Sequence, residues 1–315
     1  MIDFISPKSG AKLKKVAHFF ISENGERFPI VNEIPRFVSP DNYARAFGLQ
    51  WKTFAKIQLD SHTGTNFTRE RLERCLGCKT EELKNKDVLE VGCGAGRFTE
   101  LLVNSGVHTH SIDLSNAVET NKENIGEKMN YSIAQACANE IPYPKKEFDY
   151  VICLGVIQHT PSPQKTIQSL WEMIKPGGIF VFDHYKWRLS FYSTPAPYFR
   201  FFLRRMKPEK SQKVVNFLVS LFFPLHWTFR NNKLATWFIR HISPINEQIE
   251  SFQSKGRIFN YETSKLETYD NLTDFHKHLL TYKRLESIIK NLDSLHNYSI
   301  KLGGNGIEVL LTKKN

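Results

Sequence analysis

The chain has 315 residues, of which 41% are hydrophobic and 24% charged, as is ordinary for a globular protein with one large α/β domain and additions, or with two domains. No apolar run approaches the roughly 20 residues that span a bilayer, and the starting stretch MIDFISPKSGAKLKK lacks the apolar core of a signal peptide. Five cysteines without disulfide-like spacing favour a reduced, cytoplasmic setting.

The formal net charge of +11 is concentrated in one segment, residues 186–257. This segment holds 13 Lys and Arg against 3 Glu, whereas the remainder of the chain is close to neutral. Any attraction of an acidic partner is therefore expected to depend on this segment.

Residues 1–40 predict a small β-rich lead-in, with a strand at 19–22, a tight turn at Asn24-Gly25 and prolines typical of short or edge strands. The stretch SPKSG resembles the first knuckle of a zinc ribbon in which Ser6 and Ser9 replace both cysteines. No downstream cysteine pair completes such a site, so we expect a lead-in held by packing, without metal.

Residues 41–60 predict a helix whose aromatic face either packs in the core or forms a lid over a ligand. Residues 68–83 predict a second helix. Its lone C-x-x-C, Cys75 to Cys78, supplies too few ligands for a tetrahedral zinc site, so no metal is predicted.

From Asp87 the pattern alternates between strand and helix. Five strands are predicted at 88–91, 108–113, 131–137, 148–156 and 179–185, with helices between them. The sequence KPGG at 175–178 ends the helix before the fifth strand. A further helix over 281–292 and two final strands follow the basic segment. This alternation predicts a doubly wound, mostly parallel sheet of the α/β class.

A glycine loop follows the first of these strands and precedes a helix, in the sequence LEVGCGAGRF. Glycines permit tight turns and close approach of a ligand, and a helix start favours an anion. Asp113 ends the next strand, 19 residues after Gly94, which is the position of an acidic residue that binds a ribose. The alternative is that Asp113 or Ser115 only caps the next helix.

With these motifs in order, the sequence resembles the class I S-adenosylmethionine-dependent methyltransferases, in particular their type 11 small-molecule branch. The resemblance is carried by LEVGCGAGRF, SIDLS, ANEIPYPKKEFDYVIC, GVIQHTPSP and KPGGIF, which together cover about residues 85–180. It implies a seven-stranded Rossmann-like sheet and S-adenosylmethionine as cofactor. Weaker similarity extends to the lead-in and to the last strand.

The resemblance also implies roles for individual residues. Glu90 would receive the ammonium of the methionine moiety, and Gly92, Gly94 and Gly96 would contact its amino-acid part. Asp113 would accept the ribose hydroxyls. The expected adenine contacts are Leu114, Cys137 and Ala138, and those beside the methyl-donor sulfur are Leu154 and Gly155. The family usually has Asp where this chain has Cys137, so adenine recognition departs from the pattern.

The residues that would act on the acceptor are less defined by the pattern. A base is needed only for a protonated oxygen or nitrogen, and histidine suits that task. The catalytic candidates are His159 after the fourth strand, His184 and Tyr185 at the end of the fifth, and His276 before the last helix. Asp183, Asp270, Asp274 and His278 are further polar candidates. For each of them a structural role is the alternative.

We expect four segments: the lead-in 1–40, a cofactor-binding core 41–185, a helical cap insertion 186–257, and a completion of the sheet at 258–315. Three roles for the basic, aromatic cap are open: a substrate cap for an acidic acceptor, an element resting on anionic lipid through residues 200–230, or a nucleic-acid surface, the least favoured since no RNA-binding module is evident.

The expected function is methyl transfer to a small, anionic or lipid-linked metabolite, in the cytoplasm and in one interpretation peripheral to the inner face of the membrane. The alternatives are methylation of tRNA or protein, and a non-catalytic scaffold that binds the cofactor. The acceptor and the oligomeric state cannot be read from these residues.

Overall fold

A computed structural model describes all residues, 1–315. Strands account for the lead-in and for one large sheet: β1 Leu13–Val16, β2 Phe19–Ser22, β3 Arg27–Val31, β4 Ile34–Pro35, β5 Asp87–Val91, β6 His108–Asp113, β7 Tyr131–Gln135, β8 Phe148–Cys153, β9 Ile174–Tyr185, β10 Leu295–Gly303 and β11 Gly306–Lys313.

Twelve α-helices surround or follow the strands: α1 Arg45–Thr53, α2 Asp60–Thr63, α3 Phe67–Leu76, α4 Arg97–Asn104, α5 Ala117–Ile125, α6 Pro163–Glu172, α7 Ala196–Leu203, α8 Pro208–Phe229, α9 Lys233–Ile242, α10 Ile249–Phe252, α11 Gly256–Thr273 and α12 Tyr282–Lys290. Short 3₁₀ turns lie at Thr80–Leu83, Ile157–His159, Leu189–Ser193 and Gln253–Lys255. None of the helices combines the length and apolarity needed to cross a bilayer.

The large sheet has the order β10-β11-β9-β8-β5-β6-β7, and β5 to β9 are mutually parallel. β11 runs antiparallel to both of its neighbours, β9 and β10. The predicted seven-stranded, mostly parallel fold is therefore confirmed. Since β5 lies where the chain order reverses, the carboxyl ends of β5, β6 and β8 form the edge at which such sheets bind ligands.

The lead-in forms a separate antiparallel sheet in the order β1-β2-β3-β4, with the β2–β3 hairpin turning at the predicted glycine, Gly25. Within the turn that resembles a zinc knuckle, Ser6 Oγ accepts hydrogen bonds from the N–H groups of Lys8 and Ser9, each at 3.2 Å. A side-chain hydroxyl therefore closes a turn that sulfur and metal would close in a zinc ribbon.

The chain divides into two compact units, one of residues 1–42, 58–186 and 276–315, the other of residues 43–57 and 187–275. This division differs from the segments expected from the sequence at two places. Residues 43–57 belong with the helical insertion because α1 packs on α8 and α11. Residues 258–275 also belong there, because α11 continues to Thr273 before the chain returns to the sheet.

The helical unit has its own apolar core, made by one face of α8, by α7 and by α11. Val215, Val219 and Phe223 of α8 are fully enclosed, and Tyr269 and Leu272 of α11 pack in the same cluster. The sequence VVNFLVSLFFPL is thus part of a long helix, as its apolar pattern indicates.

One buried cation joins the lead-in to the large sheet within the first unit. Arg36 donates to Gln135 Oε1 at 3.2 Å and to Glu119 Oε1 at 2.7 Å, and its backbone pairs with Gln135 at the end of β7. Arg27, by contrast, is exposed and lies over the ring of Phe19.

We predict that Arg36→Ala lowers the free energy of unfolding by about 2 kcal/mol, because a buried charge-assisted hydrogen-bond network is lost. The matched variant Arg27→Ala should change it by less than about 0.5 kcal/mol. Urea denaturation measures both values. Equal values for the two variants would contradict the view that Arg36 fastens the lead-in.

Candidate active site

The glycine loop links β5 to α4 at the carboxyl edge of the sheet. Gly92, Gly94 and Gly96 have φ values of 74°, 51° and 98°, in the left-handed region that favours glycine. A Cβ on Gly92 would lie 2.2 Å from Val156 Cγ2, so the loop after β8 packs directly on the glycine loop. An alanine at position 92 therefore requires both a strained backbone and a displaced valine.

The N–H groups of the three glycines are bound within the protein. They donate to Ile112 O at 2.7 Å, to Asp113 Oδ2 at 3.0 Å and to Cys93 O at 2.9 Å, respectively. The N–H of Ala95 has no acceptor in the protein, although Ala95 is buried just before Gly96, the N-cap of α4. The loop therefore offers a ligand the N–H of Ala95, a residue that the glycine pattern does not point to.

Asp113 lies at the carboxyl end of β6 and holds this loop through Gly94. Its other oxygen accepts from the N–H and Oγ of Ser115, at 2.8 and 2.7 Å. Burial raises the pKa of Asp113, while these hydrogen bonds oppose the rise. A carboxylate has about four acceptor positions, so Asp113 can fix the loop, start the next turn and still accept ligand hydroxyls.

Glu90 is buried beneath the loop. Its Oε2 accepts from Thr99 Oγ1 at 2.6 Å and from Ser111 Oγ at 2.8 Å, whereas its Oε1 has no hydrogen-bond partner. Burial raises the pKa of Glu90 to about 7. The free oxygen and the raised pKa describe a carboxylate that lacks a cation or donor.

A chain of buried polar side chains supports Glu90 from behind. Asn121 of α5 donates to Thr99 Oγ1 at 3.0 Å and accepts from the hydroxyl of Tyr131 at 2.6 Å. Sequence reasoning missed Thr99, Ser111, Asn121 and Tyr131. The available signal was weak, namely polar residues at positions of α4, α5 and β6 that the periodic pattern assigns to the core.

The positions predicted to meet adenine lie beyond β6 and β7. The carbonyl of Leu114 accepts from Asn42 and from Gln135, which fixes the backbone there. Cys137 is half-buried, and burial raises the pKa of its thiol. Cys137 is thus a neutral thiol whose Sγ accepts from the N–H of Asn139 at 3.5 Å, and it presents no charged acceptor in place of the usual Asp.

Leu154 and Gly155 follow β8, and a buried ion pair fixes their loop. Asp183 Oδ1 accepts from the N–H of Gly155 at 2.6 Å, and Asp183 Oδ2 accepts from Arg71 of α3 at 2.5 Å. Asp183 is fully buried. Asp183 therefore supports the loop at this edge of the sheet. Its partner Arg71 is a further residue that sequence reasoning missed, because α3 is distant in the chain.

Three of the four predicted catalytic residues meet on the first unit. The Nδ1 of His159 lies 3.3 Å from the carbonyl oxygen of His276, and its ring packs edge-on against Tyr185 at 5.3 Å. A carbonyl only accepts, so Nδ1 carries the proton of neutral His159 and Nε2 is the basic nitrogen.

His184, the fourth candidate, is fully enclosed, and burial lowers its pKa to about 4. Its Nδ1 lies 3.0 Å from the carbonyl oxygen of Tyr185. The polar candidates Asp270 and Asp274 belong to the second unit, where Asp274 is buried in an ion pair with Arg200 at 2.5 Å. His278 lies in the first unit, stacked against His276 at 6.3 Å.

Comparison with protein families gives a match to the model described as "Methyltransferase domain" over residues 61–243, more than half of the chain. The chain belongs to this family of class I S-adenosylmethionine-dependent methyltransferases. The predicted relationship is therefore confirmed, and S-adenosylmethionine is the cofactor of the family.

Curated relatives match about a third of the chain. The ubiquinone biosynthesis O-methyltransferase of Nitrosospira multiformis is 38% identical over 107 residues, which are 32% of this chain and 44% of that protein. The protein of the same name from Pseudomonas fluorescens is 34% identical over 107 residues, 32% of this chain and 45% of that protein. The chain thus spans less than half the length of these relatives.

Solved methyltransferase structures resemble the chain over a larger share. An S-adenosylmethionine-dependent methyltransferase of Methanococcus maripaludis has a TM-score of 0.47 at 12% identity, covering 88% of this chain and 97% of its own. Magnesium protoporphyrin IX methyltransferase from Synechocystis has a TM-score of 0.42 at 10% identity and covers 81% of each chain.

The residues at the glycine loop fit this cofactor. Its ammonium suits the unpartnered Oε1 of Glu90, its carboxylate suits the N–H of Ala95 at a helix start, and its ribose suits the remaining acceptor positions of Asp113. The thiol of Cys137 offers no charged group to the adenine amine.

We predict that raising the pH from 5 to 8 lowers the free energy of unfolding of the wild-type protein by about 2 kcal/mol more than that of the Glu90→Gln variant. The pKa of Glu90 is raised in the folded protein, so above pH 4.5 the unfolded chain ionises first and folding is progressively disfavoured up to about pH 7. Denaturant unfolding of ligand-free protein at several pH values measures this difference. A difference that does not change with pH would contradict a buried, uncompensated Glu90.

Proposed function

We propose that this chain transfers the methyl group of S-adenosylmethionine to a small acceptor that is anionic or lipid-linked. The observation that carries the cofactor part of this proposal is the pair of carboxylates at the glycine loop, Glu90 with a free oxygen and Asp113 with spare acceptor positions. When bound, the cofactor supplies a methyl group on a sulfonium, which an acceptor atom displaces in line.

Each part of the cofactor has residues assigned to it in this proposal. Glu90 binds the ammonium, Ala95 and the loop of Gly92, Gly94 and Gly96 bind the carboxylate end, and Asp113 binds the ribose. The adenine lies among Leu114, Cys137 and Ala138, held by apolar contact and backbone groups. Leu154 and Gly155 border the sulfonium, and the ion pair of Asp183 with Arg71 holds their loop in place.

The acceptor atom in this proposal is an oxygen. The first curated relatives are named ubiquinone biosynthesis O-methyltransferases, although the match covers only 32% of this chain. An acceptor hydroxyl must lose its proton as the methyl group arrives, which requires a base. His159 is the candidate, because the carbonyl of His276 leaves its Nε2 as the basic nitrogen and Tyr185 orients its ring. His184 is enclosed and supports packing at the end of β9.

We predict that His159→Gln lowers methyl transfer by about 10²- to 10⁴-fold, the usual contribution of a general base, and leaves the affinity for S-adenosylhomocysteine unchanged. The measurement is incorporation of labelled methyl from S-adenosylmethionine into cell extracts split into aqueous and lipid fractions. His296→Gln, at an exposed site on β10, is the matched control.

Label that enters neither fraction with wild-type protein, although S-adenosylhomocysteine binds, would overturn the proposed methyl transfer. Label that enters equally with wild type and His159→Gln would overturn the assignment of the base. Label found in RNA or protein would overturn the assignment of a small acceptor.

A further inference from the structure

Helix α9 turns its apolar face away from the unit to which it belongs. Ile239 is its one buried residue, and α9 packs against α8. Leu234, Trp237, Phe238 and Ile242 lie on the other side, and each is at least 54% exposed. At 3.6 residues per turn these four share one broad face, which in an ordinary amphipathic helix would be buried.

Helix α8 carries a second exposed apolar stripe. Phe217, Leu221 and Leu225 recur every four residues and are exposed, whereas Val215, Val219 and Phe223 pack in the core. The apolar surface of α8 is therefore wider than the part of it that the neighbouring helices cover. Tyr198, Phe201 and Phe202 of α7 are also exposed, 53% or more. We call the exposed apolar residues of α7, α8 and α9 the aromatic face.

Cations without acidic partners occur on the same helices. On α8, Lys210 and Lys213 precede Phe217 by seven and four residues, so they share its side of the helix. Neither of them forms an ion pair with a carboxylate, nor does Lys207. The guanidinium of Arg205 lies 4.2 Å from the ring centroid of Phe201.

We infer that the aromatic face rests on an anionic bilayer, with Trp, Phe and Leu side chains in the interface and Lys207, Lys210 and Lys213 at the headgroups. This combination of aromatic and basic residues is the signature of helices that lie in the membrane plane. The inference goes beyond the proposed function and does not depend on methyl transfer, because every residue that carries it lies outside the glycine loop.

Two other occupants fit these residues less well. Interfaces between proteins are depleted in lysine at their centre, whereas here unpaired lysines continue the apolar stripe of α8. A nucleic acid could bind the cations and stack on the aromatic rings. It would offer no apolar partner to the exposed aliphatic side chains, which are Leu221, Leu225, Leu234 and Ile242. Charge and apolar character together favour anionic lipid.

The test is co-sedimentation of the full chain with phosphatidylcholine vesicles, with and without phosphatidylglycerol. We expect wild type to bind the anionic vesicles at least tenfold more tightly than the neutral ones. The triple variant Leu234→Ser, Trp237→Ser, Phe238→Ser should lose at least tenfold of that affinity. The control Met129→Ser, Leu302→Ser removes two apolar residues of the first unit that are 99% and 63% exposed, and it should bind like wild type.

A second variant separates charge from apolar contact. Lys207→Gln, Lys210→Gln, Lys213→Gln should abolish the preference for anionic vesicles and make binding less sensitive to salt. Wild-type protein that ignores anionic vesicles, or a triple serine variant that binds like wild type, would overturn the inference. So would self-association of wild type that the serine variant abolishes without vesicle binding, since a second copy would then cover the face. Unchanged far-ultraviolet circular dichroism, which reports the helices of the second unit, shows that each variant is folded.

Discussion

The site depends on one buried carboxylate. Glu90 lies under the glycine loop with one oxygen bound by Thr99 and Ser111 and the other without a partner. Ionisation at such a place is costly, as the raised pKa of Glu90 records, unless a cation arrives to compensate it. In this account the ammonium of the cofactor is that cation, so binding of the cofactor compensates the cost of ionising the buried Glu90.

Two further carboxylates at the same edge each bind a backbone N–H group of a neighbouring loop. Asp113 accepts from the N–H of Gly94, and Asp183 accepts from the N–H of Gly155. Each strand-end carboxylate thereby fixes the loop that follows a neighbouring strand. Both loops meet where Val156 packs on Gly92. Loops held in this way lose little conformational entropy when a ligand binds, which is the general advantage of a preorganised site.

Much of this arrangement follows from local pattern. Apolar runs, the glycine loop and the acid after the next strand are short-range features, so the strands, the sheet class and the place of Asp113 at the end of a strand could be predicted. Arg71, Asn121 and Ala95 could not, because their roles depend on which helix packs against which loop. The same limit applies to α1, whose aromatic spacing predicts a helix but not that it joins the helical unit, and to α9, whose apolar face is evident although its outward direction is not.

Calorimetry of S-adenosylhomocysteine binding tests the central claim most directly. Gly92→Ala and Asp113→Asn should each weaken binding by at least about tenfold, through the clash with Val156 and the loss of charge at the ribose position. Gly126→Ala, at a glycine with the same sign of φ and open space around it, and Asp149→Asn, at the opposite end of the sheet, should bind like wild type. Wild-type affinity in Gly92→Ala and Asp113→Asn would contradict the account, because the cofactor would then bind elsewhere.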